Sequence, residues 1–169
     1  MSLQHLPEHI DPIHMAKAGL SLRGSLSFEG MNRLLDIVVN PIGEVWVELK
    51  FDIDEKSTCY VKGYIKTQVE LICQRCLKGF MCAVESQFLL SPVHNDEEIK
   101  ILAACYEPLL VTNEIVLKTM VEDEILLSLP IIPLHEPSEC EIKLAPVKDK
   151  KYKSNHPFAK LAALKLKKP

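Results

Sequence analysis

Apolar residues along the chain follow two periods, and the changes of period mark the predicted elements. Between Glu44 and Ile53 apolar and polar residues alternate, as in a strand that buries one face. The same alternation returns over residues 60–72, and a third extended run covers residues 80–93. Because the connections between these runs are short, the pattern predicts an antiparallel meander.

Two short helices are predicted before these strands. Asp11 and Pro12 are typical of a helix start, since the carboxylate accepts free amides and proline has no N–H to satisfy. Gly19 is suited to end that helix. Residues 27–38 repeat apolar side chains at helical spacing, which predicts a second helix that Pro41 stops.

One more strand and one more helix are predicted in the second half of the chain. Residues 107–111 fit a short strand, and the acidic run 96–98 before them fits a solvated turn. Asn113 is expected to cap a helix that prolines 130 and 133 end. The apolar face of that helix consists of Leu117, Met120, Val121 and Ile125.

These elements together predict an α+β fold: a mostly antiparallel β-sheet or partly closed barrel with flanking helices. Beyond it, Pro157 is expected to start a C-terminal basic helix over residues 158–166. We therefore divide the chain into an α+β domain, residues 1–142, and a lysine-rich linker with its helix, residues 143–169.

Charge separates the same two parts. Residues 143–169 hold nine lysines against one acid, whereas residues 1–142 hold 11 basic and 22 acidic residues. A cationic end on an acidic body is attracted to polyanions such as nucleic acid or an anionic membrane face. The alternative is a solvated chain end without a partner.

Composition indicates the class of protein and the cell compartment in which it works. The chain has 169 residues and 47% apolar content, as in an ordinary globular protein. Its apolar runs are broken by charge or proline well before the roughly 18 residues that a membrane span needs. Six cysteines without a secretion signal favour reduced thiols over disulfides. We therefore expect a cytoplasmic protein that does not bind membranes.

The cysteines offer the most specific chemistry. Cys73 and Cys76 form a C-x-x-C pair between two predicted strands, a spacing at which two thiolates can bind one Zn²⁺. His135 and Cys140 can complete the set, and Cys82 and Cys105 are held in reserve. Three cysteines and one histidine would make a closed, structural zinc site.

Two other interpretations of these cysteines stay open. Zinc ribbons usually have two knuckles and a glycine soon after the second cysteine, whereas here Leu77 and Lys78 precede Gly79. Reduced structural cysteines are therefore one alternative, and we expect Cys59 and Cys105 to be core or half-buried residues of that kind. A thioredoxin-like redox pair is the other, although no predicted helix start lowers a thiol pKa here.

No pattern favours catalysis. The acidic run 122–124 lies on consecutive helical positions that point in different directions, so it is expected to form a solvated face. No glycine-rich phosphate loop is present.

Several segments, spread over nearly the whole chain and in the same order, resemble the bacterial YceD family. They are VELICQRCLKGF (69–80), LLSPVHNDEE (89–98), YEPLLV (106–111), MVEDEILLSLPIIPLHEPSEC (120–140) and HPFAKLAALK (156–165). The resemblance implies a role in the accumulation, processing or stability of 23S ribosomal RNA in the cytoplasm, without enzymatic activity. The matching candidate residues are Cys73, Arg75, Cys76, His135 and Cys140.

Charge and resemblance both favour binding to 23S ribosomal RNA, its precursor or the large ribosomal subunit, because lysines that displace phosphate counterions supply affinity. Arg75 is a candidate phosphate ligand, with a local hydrogen bond as the alternative. The other candidate RNA contacts are Lys148, Lys150, Lys151, Lys153, Lys160, Lys165, Lys167 and Lys168. A second function hypothesis is an adaptor: residues 82–142 carry twelve acids against two lysines, which suits a basic ribosomal protein.

Overall fold

A computed structural model of the chain describes residues 6–140 and residue 142. Within them the chain forms seven strands and four helices. In order these are β1 His9–Ile10, α1 Pro12–Lys17, β2 Ser21–Leu26, α2 Asn32–Leu35, β3 Asn40–Ile53, β4 Cys59–Ile72, β5 Gly79–Val93, α3 Asp96–Ile101, β6 Glu107–Leu110, β7 Ile115–Val116 and α4 Leu117–Ser128.

The main sheet has five strands in the order β2-β3-β4-β5-β6. Neighbouring strands are antiparallel except β5 and β6, which run parallel. β1 and β7 form a separate two-stranded antiparallel sheet. The predicted α+β fold with a mostly antiparallel sheet is confirmed; the barrel alternative is wrong, because β2 and β6 remain edge strands and the sheet does not close.

Helices cover one face of this sheet. α1 packs against β3 and β4, and α4 packs against β4 and β5. The alternation predicted for the long strands places their apolar side chains on this face, where Val47, Phe51 and Ile65 are fully buried. Leu117 and Ile125 of α4 meet them, so the core lies between the helices and the sheet. The opposite face of the sheet carries mostly polar side chains.

The first predicted helix is confirmed with its cap. The Asp11 carboxylate accepts hydrogen bonds from the amides of Ile13 and His14 at 3.0 and 2.9 Å. Gly19 follows the helix with φ at +62°, a left-handed conformation that glycine adopts without steric cost.

The second predicted helix is wrong in extent. Only Asn32–Leu35 is helical, and residues 21–26 before it form strand β2, which the pattern did not predict. Pro41 does not stop a helix; it lies inside β3, opposite Val69. At this point β3 pairs only with β4, so the missing N–H of proline leaves no strand unsatisfied.

Two predictions in the second half also need correction. The acidic run 96–98 begins helix α3, because the Asn95 side chain accepts from the amides of Glu97 and Glu98, and acids are favoured in a first turn. Asn113 does not cap α4: the residue before that helix is Val116, which makes no side-chain cap. The predicted strand at 107–111 is confirmed as β6.

The acidic run 122–124 is not a solvated face. Glu122 is 5% exposed and Glu124 is 7% exposed. Glu122 accepts hydrogen bonds from the Arg33 guanidinium at 2.7 and 3.0 Å and from the Leu34 amide at 3.1 Å, so it joins α4 to α2. Periodicity did not predict this, because the burying partner is about 90 residues away.

The proposed second part of the chain, residues 143–169, lies outside the described residues, and so do its predicted basic helix and the candidate RNA contacts at Lys148, Lys150, Lys151, Lys153, Lys160, Lys165, Lys167 and Lys168. Among the helices that are described, none is long and apolar enough to cross a membrane.

Candidate metal centre

A six-residue turn, residues 73–78, connects β4 to β5 and carries the C-x-x-C pair; we call it the knuckle. The Cys73 amide donates to the Lys78 carbonyl at 2.9 Å, and the Leu77 amide donates to the Cys73 carbonyl at 2.8 Å. Leu77 adopts φ of +61°, the left-handed position for which zinc knuckles commonly use glycine. The knuckle therefore keeps its shape without that glycine, at the cost of backbone strain at Leu77.

The segment after α4, residues 129–140, comes back to this turn; we call it the proline segment. The Gln74 amide donates to the Pro133 carbonyl at 2.9 Å, and the His135 amide donates to Cys73 Sγ at 3.4 Å. A turn closes at its end, where the Cys140 amide donates to the Glu136 carbonyl at 3.1 Å. That turn directs Cys140 back toward the knuckle.

Four ligand atoms converge between the knuckle and the proline segment. The sulfurs of Cys73, Cys76 and Cys140 and a ring nitrogen of His135 all lie within 4.8 Å of one another. Cys76 Sγ and His135 Nδ1 are 3.2 Å apart, and the side chains of Cys73 and Cys140 are buried. The four residues chosen from the sequence therefore come together in space.

The spacing of this cluster fits a tetrahedral metal. Bonds of about 2.3 Å from zinc to sulfur place ligand atoms roughly 3.8 Å apart in a tetrahedron, which a small contraction of the cluster provides. Three sulfurs and one nitrogen fill all four positions and leave none for water or substrate. The arrangement can hold a metal as a structural crosslink and is not suited to metal-assisted catalysis.

The electrostatics of the cluster favour one thiolate and resist a second. Burial opposes ionisation of Cys73, but N–H groups of His135, Cys76 and Arg75 outweigh it and lower the pKa of this thiol to about 5. The Lys78 amide favours the Cys76 thiolate, yet burial and the sulfurs of Cys73 and Cys140 together raise the pKa of Cys76. A bound cation removes this conflict because it holds several thiolates ionised at once.

The Arg75 side chain extends from the knuckle to the proline segment and contacts two residues there. Its Nε donates to Cys140 Sγ at 3.0 Å and its Nη2 donates to the His135 carbonyl at 3.1 Å. The guanidinium thus places one positive charge beside the sulfurs and fastens the proline segment to the knuckle. A phosphate contact from Arg75 stays a prediction. The alternative, a hydrogen bond to the carbonyls of its own turn, is not what the structure shows, because both acceptors belong to the proline segment.

Sequence reasoning missed the neighbours that orient the ligands. The Phe80 ring lies 5.0 Å from the His135 ring, centroid to centroid, and holds it against the start of β5. The reserve ligands Cys82 and Cys105 are outside the cluster. Cys105 is exposed, contrary to the expected burial, whereas Cys59 is half-buried against the core as predicted; all six cysteines are free thiols.

Comparison with known proteins places the chain in a family. Residues 61–165 match the family described as large ribosomal RNA subunit accumulation protein YceD. The chain is 34% identical to the large ribosomal RNA subunit accumulation protein YceD of Haemophilus influenzae, over 96% of this chain and 97% of that protein. No solved structure matches it. The suspected resemblance is confirmed: the chain belongs to the YceD family.

Proposed function

We propose that the protein is a non-catalytic ribosome-biogenesis factor of the cytoplasm that acts in the synthesis, processing or stability of 23S ribosomal RNA. Similarity over nearly its whole length to a protein named for accumulation of the large ribosomal RNA subunit carries this proposal. The protein acts, in this proposal, by binding large-subunit RNA or its precursor.

The lysines of residues 143–169 are the proposed phosphate contacts. Nine positive charges against one acid in 27 residues give an affinity that does not depend on base sequence and weakens steeply with salt. The net negative charge of residues 1–142 makes most of that part unsuited to the same task.

A charge-matched pair of full-length variants tests the lysine contacts. Lys150, Lys151 and Lys153 are replaced by glutamine in one variant, and Lys17, Lys56 and Lys100 in the other. Affinity for a 23S ribosomal RNA transcript is measured over a range of salt concentrations. We expect about a tenfold or greater loss and a shallower salt dependence for the first variant only. Equal losses in both variants would mean that general charge, not this segment, binds the RNA.

Crosslinking in cells followed by sequencing of the attached RNA tests the partner itself. The proposal expects enrichment of 23S ribosomal RNA or its precursor over 16S ribosomal RNA. Recovery of both at their cellular ratio would contradict it.

We further propose that the cysteine–histidine centre binds a structural zinc ion through Cys73, Cys76, His135 and Cys140. Zinc supplies a tetrahedral crosslink between thiolates and imidazole. The geometry of the cluster and the conflict between its neighbouring thiols support this assignment. Elemental analysis of the purified protein tests it: about one zinc per chain is expected, and none in a Cys73→Ser variant.

The adaptor hypothesis has one observation in its favour. Asp96 and Glu97 on α3, together with Glu107 and Glu114, are exposed acids in the second half of the fold. Fewer acids are exposed than the acid count suggested, because Glu122 and Glu124 are buried. Pull-down after nuclease treatment separates the two functions: loss of ribosomal material supports RNA binding, and survival of a complex with a basic ribosomal protein supports the adaptor.

A further inference from the structure

The face of the main sheet that carries no helix contains a shallow groove across β2, β3, β4 and β5. Its volume is about 480 Å³. The side chains that face this groove belong to the polar set of the strand alternation, opposite to the core. Those that matter here are Arg23, Glu48, Lys50, Lys62, Tyr64 and Gln87. We call this surface the sheet groove.

The sheet groove is cationic although the domain as a whole is acidic. Three of these six side chains are positive and one is negative. Arg23 is paired with Glu48 at 2.7 Å, and Lys50 is paired with Asp52 at 2.9 Å. Lys62 is exposed and has no ion pair within the described part of the chain. One positive charge at the centre of the groove is therefore not neutralised by the protein.

Lys62 faces a second lysine across the sheet, and Glu48 and Asp52 lie diagonal to it. In the strand register Lys62 lies directly opposite Lys50 on β3 and opposite Leu89 on β5. Like charges directly opposite each other on neighbouring strands destabilise a sheet. An anion bound between these two lysines would relieve that repulsion.

Aromatic and amide groups lie next to this pair of lysines. Tyr64 is half-buried in the adjacent row of the sheet, between Glu48 on one side and Gln87 on the other. The Arg23 guanidinium lies 5.6 Å from the centre of the Trp46 ring, which continues the surface. Cations that track a phosphate backbone beside an aromatic ring that stacks a base are the usual components of a site for single-stranded nucleic acid.

We propose that the sheet groove binds a single-stranded segment of RNA, with its phosphates at Lys50 and Lys62 and a base stacked on Tyr64. This inference rests on the proposed function, in which RNA is the partner, and adds a second contact surface within the folded domain. The lysine-rich end of the chain does not match this groove in charge, since both are positive. An acidic peptide matches the charge but makes no specific use of the aromatic ring.

The test uses the full-length protein and a fluorescein-labelled oligouridine of about 12 nucleotides, a length within the range of single-strand binding sites. Fluorescence anisotropy gives the affinity at several salt concentrations. Lys62→Glu is compared with Lys100→Glu, which makes the same charge change on helix α3 outside the groove. Tyr64→Ser tests the stacking contact.

Lys62→Glu is expected to weaken binding about tenfold or more and to lower the salt slope, while Lys100→Glu stays within about twofold. Tyr64→Ser is expected to weaken binding several-fold without changing the salt slope, because a stacked base releases no counterion. The melting temperature of Lys62→Glu should stay close to that of the native protein, since Lys62 is exposed and faces Lys50 as well as the diagonal acids Glu48 and Asp52. A loss of affinity then cannot be attributed to unfolding.

The outcomes separate this inference from the proposed function. If Lys62→Glu and Lys100→Glu bind the oligouridine equally while the Lys150, Lys151 and Lys153 variant loses it, the sheet groove is overturned and the proposed function stands. If the native protein binds neither oligouridine nor 23S ribosomal RNA, the proposed function fails and this inference with it. Binding of poly-glutamate in place of oligouridine, with the same dependence on Lys62, would assign the groove to an acidic protein and overturn RNA as its occupant.

Discussion

Two clusters of ionisable side chains join distant segments of this protein, and they balance their charge in different ways. At the junction of α2 and α4, Arg33 contacts Glu122 at 2.7 Å and Asp123 at 2.6 Å. At the knuckle, three sulfurs and an imidazole meet the single guanidinium of Arg75. The first cluster contains its own counter-charge, and the Leu34 amide completes it.

The second cluster has no such balance once more than one thiol ionises. The cluster then lacks positive charge, and the raised pKa of Cys76 beside the sulfurs of Cys73 and Cys140 reflects this lack. A cluster in which each charged side chain already contacts an opposite charge needs no ligand and serves to join elements. A cluster of ligand atoms that lacks a cation is a candidate site for one. This difference separates the structural acid cluster from the candidate metal centre, and each prediction below tests part of it.

Loss of the proposed zinc ion is expected to have the largest effect. Cys140→Ser should lower the free energy of unfolding by about 3–5 kcal/mol in the presence of zinc, because metal binding to the folded state alone adds to stability. Urea unfolding with and without a chelator measures this. Chelator should destabilise the native protein and leave Cys140→Ser unchanged.

Cys105→Ser is the matched control, because Cys105 is an exposed thiol outside the cluster. It should change stability by less than about 0.5 kcal/mol. Equal stability of the native protein with zinc and with chelator would contradict the proposal that the cluster binds zinc.

Breaking the Arg33 cluster is expected to have the next largest effect. Glu122→Ala leaves Arg33 and the Leu34 amide without their buried partner and should cost about 3 kcal/mol. The loss should be the same with and without chelator, since this cluster needs no metal. Asp123→Ala, at a half-exposed acid of the same cluster, should cost less than about 1 kcal/mol. A Glu122→Ala effect as small as that of Asp123→Ala would show that the junction contributes little to stability.

Glu124 tests what happens to a buried acid without a cation. Burial, with Glu107 and Asp123 nearby, raises its pKa from 4.5 to about 7. A folded-state pKa above the unfolded value means that the folded protein binds the proton more tightly, so native stability falls as pH rises from about 4.5 to about 7. Glu124→Gln should therefore stabilise the protein by about 2 kcal/mol near pH 8 and have little effect near pH 5.

Unfolding measured at both pH values checks this, with Asp123→Asn as the control. The opposite result, a loss of stability from Glu124→Gln near pH 8, would mean that a cation neutralises this carboxylate.

The smallest expected effect concerns the strained residue of the knuckle. Leu77→Gly should stabilise the protein by about 1 kcal/mol, because φ of +61° is costly for leucine and its side chain is 75% exposed. Gln74→Gly is the control, since Gln74 lies in the same turn without a positive φ and should lose stability. Thermal unfolding of the zinc-loaded protein measures both. Destabilisation by Leu77→Gly would mean that contacts of the leucine side chain stabilise the protein by more than the backbone strain costs.

The long strands were predictable because their alternation is a local property of the chain. Burial alternates along most of β4, along β3 from Val45 onward and along β5 as far as Leu90, and the predicted boundaries lie within a few residues of the observed ones. The same holds for α1, whose cap is formed by residues two and three positions away. Failure came where a partner is distant: β2 needs β3 to become a strand, and the short α2 depends on Glu122.

The sequence by itself determined which faces of the strands are apolar, which end of the chain is cationic and which cysteines and histidine are candidate metal ligands. Tertiary structure decided that the sheet stays open, that Glu122 is buried, and that Cys140 reaches Cys73 although the two are 67 positions apart in the chain. Periodicity and side-chain chemistry are fixed by covalent structure and local backbone geometry. The meeting of distant segments depends on the packing free energy of the whole chain, which no local pattern contains.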